Sequence, residues 1–341
     1  MKPNHETFEL GDIQLASGAS LRSARLAYTT YGRLNENGDN AVLLPTFYTG
    51  THLRNEGYFG PGRALDPSRH FIVSVNMFGN GLSTSPSNAV ASCRGASFPE
   101  VRLSDNVACQ HRLLTEELGV RRLRLVVGWS MAGCQAYSWA IQYPDMVDAI
   151  LPFCASARIS PHNWVFLEGV KAALTADASW NGGEYHHNPP KEGLRAFGTV
   201  YAGWAYSQTF FRNGLYRELG FSSPGELLDE WAREHADDWD ANDLLAMLTS
   251  WQLADISDGA KFNGDFEKAL RSISTRAILL PCKQDLYFPP EDNEIEARYM
   301  PNAELRIYDS PWGHCVGSPG NEPEFEAFLD SCIGDLLKTP T

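Results

Sequence analysis

The stretch from Leu123 to Tyr143 limits what this chain can fold into more than any other. Leu123-Arg124-Leu125-Val126-Val127 is short, apolar and β-branched, as a buried strand is. Gly128-Trp129-Ser130-Met131-Ala132-Gly133 follows, and Cys134 to Tyr143 reads as a helix that stops at Pro144. A serine on so sharp a strand-to-helix turn is pushed out of the backbone at the end of a sheet. The next backbone N–H then points at the place where a tetrahedral oxyanion would form. Acyl transfer through a serine ester is the chemistry this arrangement suits. A Gly-x-Ser-x-Gly string alone is common in turns, and here Ala132 takes the second glycine slot, with Gly133 behind it. The slot needs only a small side chain, because strand and helix cross closely there. The competing reading is an ordinary βα turn in which Ser130 merely caps the helix. The strand before it and the helix after it favour the nucleophile.

A serine hydroxyl is a poor nucleophile until a base takes its proton, and the base needs a carboxylate to fix its tautomer. In the elbow-bearing α/β folds these partners follow the serine in the order Asp or Glu, then His. Two C-terminal strand–loop units supply them. Arg276 to Cys282 reads as a buried parallel strand with Asp285 just beyond it. Glu304 to Tyr308 reads as the next strand, and Gly313-His314 follows. Both groups lie at carboxyl ends of strands, the edge where open α/β sheets place their sites. His5, His111, His162, His186, His187 and His235 fall in a tail, on a helix, in a polar loop or in the middle of the chain. Asp292 lies in an acidic helical run, and Asp309 ends its own strand too close to His314. An oxyanion hole also needs an N–H from the loop after an early strand. Ala41 to Pro45 reads as that strand, so the backbone amides of Tyr48 and Met131 are the expected donors.

Residues 8 to 31 read as an antiparallel pair, Phe8–Leu15 and Leu21–Tyr31. Strands and helices then alternate to about residue 155, which predicts a mostly parallel, doubly wound sheet. From Arg158 to about Ser274 helical runs dominate: Trp164–Leu174, Leu194–Phe211, Pro224–Ala236 and Asn242–Leu253. The expected organisation is an α/β core at 1–157 and 275–341, with a helical lid inserted at 158–274. Lid aromatics could line an acyl pocket, although each is more commonly packed in the lid's own core.

Several blocks together resemble the homoserine O-acetyltransferases of the α/β-hydrolase fold. They are Gly128-Trp129-Ser130-Met131-Ala132-Gly133, Ala140-Ile141-Gln142-Tyr143-Pro144-Asp145, Gly62 to Asp66 leading into Phe71 to Asn76, Leu103-Ser104-Asp105-Asn106 and Gly313-His314. The resemblance implies an α/β-hydrolase core, a helical lid, a Ser130–Asp285–His314 triad, a covalent acyl-serine and a ping-pong cycle. It also makes Tyr206 a pocket residue and a homodimer through the lid an expectation. Two departures stand out. Cys315 takes the place of the aspartate that follows the family's catalytic histidine. Ser207 replaces the arginine of the family's lid element. Homoserine is a zwitterion, and burying its charges unpartnered would cost several kcal/mol. The chain therefore resembles more closely a branch that hydrolyses short-chain acetates; transfer from an acyl-CoA to homoserine or another alcohol is the alternative.

The 341 residues carry 28 Lys+Arg against 42 Asp+Glu, a formal charge of −14. Such a surface argues against nucleic acid and anionic membranes as partners, and suits a small-molecule ester better than coenzyme A. No apolar run approaches the roughly 20 residues that span a bilayer, and Met1 to Glu6 lacks a signal-peptide core. A cytoplasmic protein is expected. The seven cysteines are odd in number and not spaced as metal ligands, so reduced thiols, no metal and no cofactor are the expectation. Cys315, as a sequence neighbour of His314, is expected to point away from the imidazole. Asp238-x-Asp240-x-Asn242 opens like a calcium loop. However, Asp243 stands where that loop needs glycine and Thr249 where it needs glutamate, so a solvated helix start is expected.

Overall fold

A computed structural model describes residues 4–338. Residues 1–3 of the opening stretch read for a signal peptide lie outside them. Eight strands form one sheet in the order β1-β2-β4-β3-β5-β6-β7-β8. They are β1 (Glu6–Gln14), β2 (Ser20–Tyr31), β3 (Ala41–Pro45), β4 (Phe71–Val75), β5 (Leu123–Trp129), β6 (Ala149–Phe153), β7 (Arg276–Leu279) and β8 (Ala303–Leu305). β1 pairs with β2 and β2 with β4 antiparallel; every other pair is parallel. The helices are α1 (His52–Asn55), α2 (Leu103–Arg112), α3 (Met131–Gln142), α4 (Pro161–Thr175), α5 (Lys191–Ala205), α6 (Gln208–Asn213), α7 (Pro224–Asp238), α8 (Ala241–Gln252), α9 (Phe266–Arg271), α10 (Pro290–Tyr299) and α11 (Pro323–Leu337).

All residues of β3, β4 and β6 are buried, as central strands covered on both faces must be. Alternation along each strand divides the core. Val42, Leu44, Ile72, Leu125, Val127 and Leu151 pack under α11 and the helices of the β6–β7 insertion. Ala41, Leu43, Val73, Val126 and Ile150 pack on the other face with Val107 of α2 and Tyr137, Trp139 and Ala140 of α3. The α/β-hydrolase arrangement follows, with an antiparallel edge on a parallel sheet.

Residues 158–274 hold helices α4 to α9 and, among the described residues, no strand, only the single bridge Arg158–Asp255. α4, α5, α7 and α8 share the cluster on the site's side of the sheet. Ala269 and Leu270 of α9 instead pack against the opposite face. The helix read over Leu194–Phe211 breaks in two. Tyr206 is extended, with φ −106° and ψ 151°. The Ser207 hydroxyl accepts the Phe210 N–H at 3.0 Å and donates to the Pro311 carbonyl at 2.5 Å. A side chain that satisfies an orphan helix donor is enough to restart a helix there. β8 is also shorter than read, although the bridge Cys282–Tyr308 prolongs its direction.

Candidate active site

Three carboxyl-terminal strand ends converge on one small cavity. β5 ends at Trp129, and Ser130 follows with φ 56° and ψ −130°, a strained left-side conformation for a non-glycine residue. The turn is feasible only because its neighbours are small. A Cβ at Gly128 would lie 2.5 Å from the Ala132 backbone and side chain. A Cβ at Gly133 would lie 2.5 Å from the Ala155 Cβ. Alanine at 132 is therefore tolerated because Gly128 supplies the room.

Asp285 sits in the turn after β7 with a fully buried side chain. Its Oδ1 accepts the amides of Tyr287 at 2.8 Å and Phe288 at 3.1 Å. Its Oδ2 lies 2.7 Å from His314 Nδ1. An ionised carboxylate only accepts, so the imidazole proton sits on Nδ1 and Nε2 is left as the base. The ring stacks on Trp129 with centroids 5.1 Å apart and meets the edge of Tyr287 at 4.7 Å. Trp129 Nε1 also donates to the His314 carbonyl at 3.2 Å. Ser130 and His314 line the same cavity. Their side chains are not hydrogen-bonded to each other in the described structure, a common state of sites without substrate.

The loop after β3 carries Tyr48. Its hydroxyl donates to the Leu244 carbonyl of α8 at 3.1 Å, which pins the loop to the inserted helices. Burial pushes this phenol well above its ordinary pKa. Neither the Tyr48 nor the Met131 amide donates to another group among the described residues. Met131 opens α3, where an unpaired N–H is the rule. Tyr206 also lines the cavity, its ring stacked on Phe210 at 4.1 Å.

The other sequence candidates lie elsewhere. His111 stacks on Tyr143 at 3.9 Å, and His186 and His187 are exposed. Asp292 is on α10, and Asp309 is an exposed partner of Lys283 at 2.8 Å. Asp240 caps α8, as a helix start should, but Asp243 is buried rather than solvated. Asp243 accepts the amide of Ser87 at 2.8 Å and its hydroxyl at 2.6 Å. All seven cysteines are free and buried.

Cys315 lines the cavity beside Tyr206 and shares a tight 3₁₀ turn with His314. Burial pushes its thiol up to about 12, so it carries no thiolate. Charged partners are also not lost with Ser207, which serves as a cap instead. Arg54 from α1 and Glu234 from α7 both line the cavity, and so does His235. Arg54 is exposed and reaches Ser318 Oγ at 3.1 Å. Partial burial raises the Glu234 pKa, with Arg54 opposing the rise. None of these three side chains carries a sequence signature. The Sγ of Cys154, a carboxylate oxygen of Asp285 and a His314 nitrogen lie within 4.8 Å of one another. Burial holds the Cys154 thiol well above its ordinary pKa, and Asp285 and His314 already engage each other. A protonated thiol beside a carboxylate and an imidazole that already engage each other is a poor metal ligand set.

Comparison with known proteins adds the following. Residues 42–318 match the alpha/beta hydrolase fold family. An ethyl acetate hydrolase of Pseudomonas veronii is 37% identical over 99% of this chain and 97% of its own length. A homoserine O-acetyltransferase of Chlorobium chlorochromatii is 33% identical over 87% of this chain and 86% of its own. The crystal structure of an acetylester hydrolase from Corynebacterium glutamicum superposes with a TM-score of 0.93 at 35% identity, covering 98% of this chain and 96% of the other.

Proposed function

The chain belongs to the alpha/beta hydrolase family, in the group that holds both acetyl ester hydrolases and homoserine O-acetyltransferases, and from that premise we propose that it is a serine carboxylesterase for short acetate-type esters. The observation that carries the reading is the buried Asp285–His314 pair beside a strained Ser130 at the end of β5. In the proposed cycle His314 Nε2 takes the Ser130 proton as Oγ attacks the ester carbonyl. Asp285 holds the imidazolium, and the amides of Tyr48 and Met131 hold the oxyanion. His314 then protonates the departing alcohol, which leaves an acyl group on Ser130. Water attacks that group by the same route. Each oxyanion donor in such a site is worth on the order of 3 kcal/mol.

Size supports the substrate class. The cavity measures about 180 Å³. An apolar cavity of about 150 Å³ holds one benzene ring, so a substrate of roughly six to eight heavy atoms fits. Within the insertion at 158–274, helices α4 to α8 act as a lid over a core at 1–157 and 275–341, while α9 packs on the far face of the sheet. A small-molecule ester is the partner, with no nucleic acid and no membrane; the acidic composition agrees, and no helix of the described residues is long and apolar enough to cross a bilayer. A cytoplasmic homodimer joined through the lid completes the proposal. Exposed Trp164, Val165 and Val200 on α4 and α5 support that contact. Ser130→Ala tests the core claim: ethyl acetate turnover disappears while the thermal midpoint stays within a few degrees. Retained turnover refutes the assignment.

One observation favours a second reading, acetyl transfer to a charged alcohol such as homoserine. Arg54 and Glu234 offer a guanidinium and a carboxylate at the cavity. The comparison is kcat/KM for acetyl-CoA with homoserine against ethyl acetate with water; preference for the first pair overturns the esterase assignment.

A further inference from the structure

One cavity residue has a polar atom that no group among the described residues satisfies. His235, on α7, is 2% exposed and lines the same cavity as Ser130. Its Nδ1 lies 2.8 Å from the carbonyl of Trp231, one helical turn back. A carbonyl accepts only, so the proton resides on Nδ1 and Nε2 presents a bare lone pair. That Nε2 is buried and has no hydrogen-bond partner among the described residues. Desolvation depresses the pKa of His235 to about 4, so the ring is neutral and Nε2 stays an acceptor at neutral pH.

The orientation is built in. The ring stacks on Trp231 at 5.8 Å and meets Phe197 at 5.5 Å and Tyr201 at 5.8 Å. Gly198 of α5 lies so close that a Cβ there would be 2.5 Å from the Trp231 carbonyl oxygen and 2.9 Å from His235 Nδ1. A buried acceptor without a donor costs free energy, which a ligand donor can recover. Glu234, the next residue back, adds a second acceptor to the same lining. Both groups accept, so the corner calls for a hydrogen-bond donor on the ligand, and a hydroxyl is the smallest neutral one.

We propose that the Glu234–His235 corner is a hydroxyl-recognition subsite, and that the preferred substrates are short esters bearing a free hydroxyl in addition to the ester group. This deepens the esterase reading and rests on it. His235 is then a specificity residue: its Nε2 accepts a hydrogen bond from the substrate hydroxyl, while Ser130 and His314 act on the ester a few bonds away.

The test uses isosteric pairs with the native enzyme. 2-Hydroxyethyl acetate against propyl acetate places the hydroxyl on the alcohol side; ethyl glycolate against ethyl propanoate places it on the acyl side. One pair shows a kcat/KM preference of at least about tenfold for the hydroxylated ester. His235→Phe lowers that ratio to near one, and Glu234→Ala, at a part-exposed position, lowers it severalfold. Equal rates within both pairs overturn the proposal and mean that a bound water satisfies Nε2. A native preference that survives Glu234→Ala and His235→Phe also overturns it, and if His235→Phe does not fold, survival in Glu234→Ala alone does so. Absence of serine-dependent turnover of all four esters is the separate failure of the esterase reading.

Discussion

Replacing Asp285 with asparagine removes a charge while keeping the volume, and the geometry says what must follow. One carboxylate oxygen accepts the Tyr287 and Phe288 amides at 2.8 and 3.1 Å; the other faces His314 Nδ1 at 2.7 Å. An asparagine keeps one acceptor. With its oxygen on the two amides, its NH₂ faces Nδ1, and a protonated Nδ1 would then meet another donor. The ring shifts its proton to Nε2, the atom that must accept from Ser130. Returning to the productive tautomer leaves two buried donors unsatisfied, at about 1–3 kcal/mol each. The imidazolium formed in the reaction also loses its counter-charge. Together these come to about 5 kcal/mol, or roughly a 10⁴-fold fall in kcat/KM. Titrating acid release from ethyl acetate at constant pH reads the rate, and a thermal melt shows that the fold is intact. Asp309→Asn is the control, since that carboxylate is an exposed partner of Lys283; it leaves the rate within twofold. A variant at 285 that keeps more than a tenth of native activity refutes the assigned base and its orientation.

Three further outcomes follow from the same structure. Gly128→Ala places a Cβ 2.5 Å from the Ala132 backbone; overpacking of this kind costs about 1–3 kcal/mol, seen as a lower thermal midpoint, with activity falling further because the elbow itself moves. Glu296 is buried against Tyr137, Asn293 and the Ala157 amide, and burial lifts its carboxyl from 4.5 to about 7. The native state therefore holds this proton to higher pH than the unfolded chain does, so its effect is a loss of stability as pH rises from about 4.5 to 7, levelling above. That loss is on the order of 3 kcal/mol; the difference in urea stability between native protein and Glu296→Gln changes with pH across that window and is flat above it. Cys315, with its thiol held up to about 12 by burial, resists iodoacetamide at pH 8, and ethyl acetate turnover is retained after alkylation of the denaturant-free enzyme; rapid inactivation that Cys315→Ala abolishes would contradict the buried, protonated thiol.

Much of this architecture was legible along the chain because its signals are local. The β-branched run Leu123–Val127, the glycine before Ser130 and the proline after Tyr143 each act within a few residues of themselves. The antiparallel entry, read over Phe8–Leu15 and Leu21–Tyr31, and the strand Ala41–Pro45 match observed strands within a few residues. The break at Tyr206–Ser207 was not legible. Helical periodicity runs through it, and it exists because Pro311, far along the chain, offers a carbonyl to Ser207. The burial of Asp243 is hidden for the same reason: its partner Ser87 lies in a distant loop. His235 looked like one more lid histidine, and only the carbonyl of Trp231 and the cavity beside it set its tautomer and its free nitrogen apart.

The order of the proposed reactive groups follows from the chain in one dimension. A serine on a strained turn, an acid after the next-to-last strand and a histidine after the last are positions that hydrogen bonding within each strand–loop unit defines locally. Which side chains meet in the cavity depended on the third dimension. Arg54, Glu234, His235 and Cys315 come from a short early helix, an inserted helix and a turn after the sheet. They face one another because the inserted helices bury their apolar sides against the end of the sheet. No residue signals that meeting in advance, because burial is a property of the assembled surface and not of any stretch of chain.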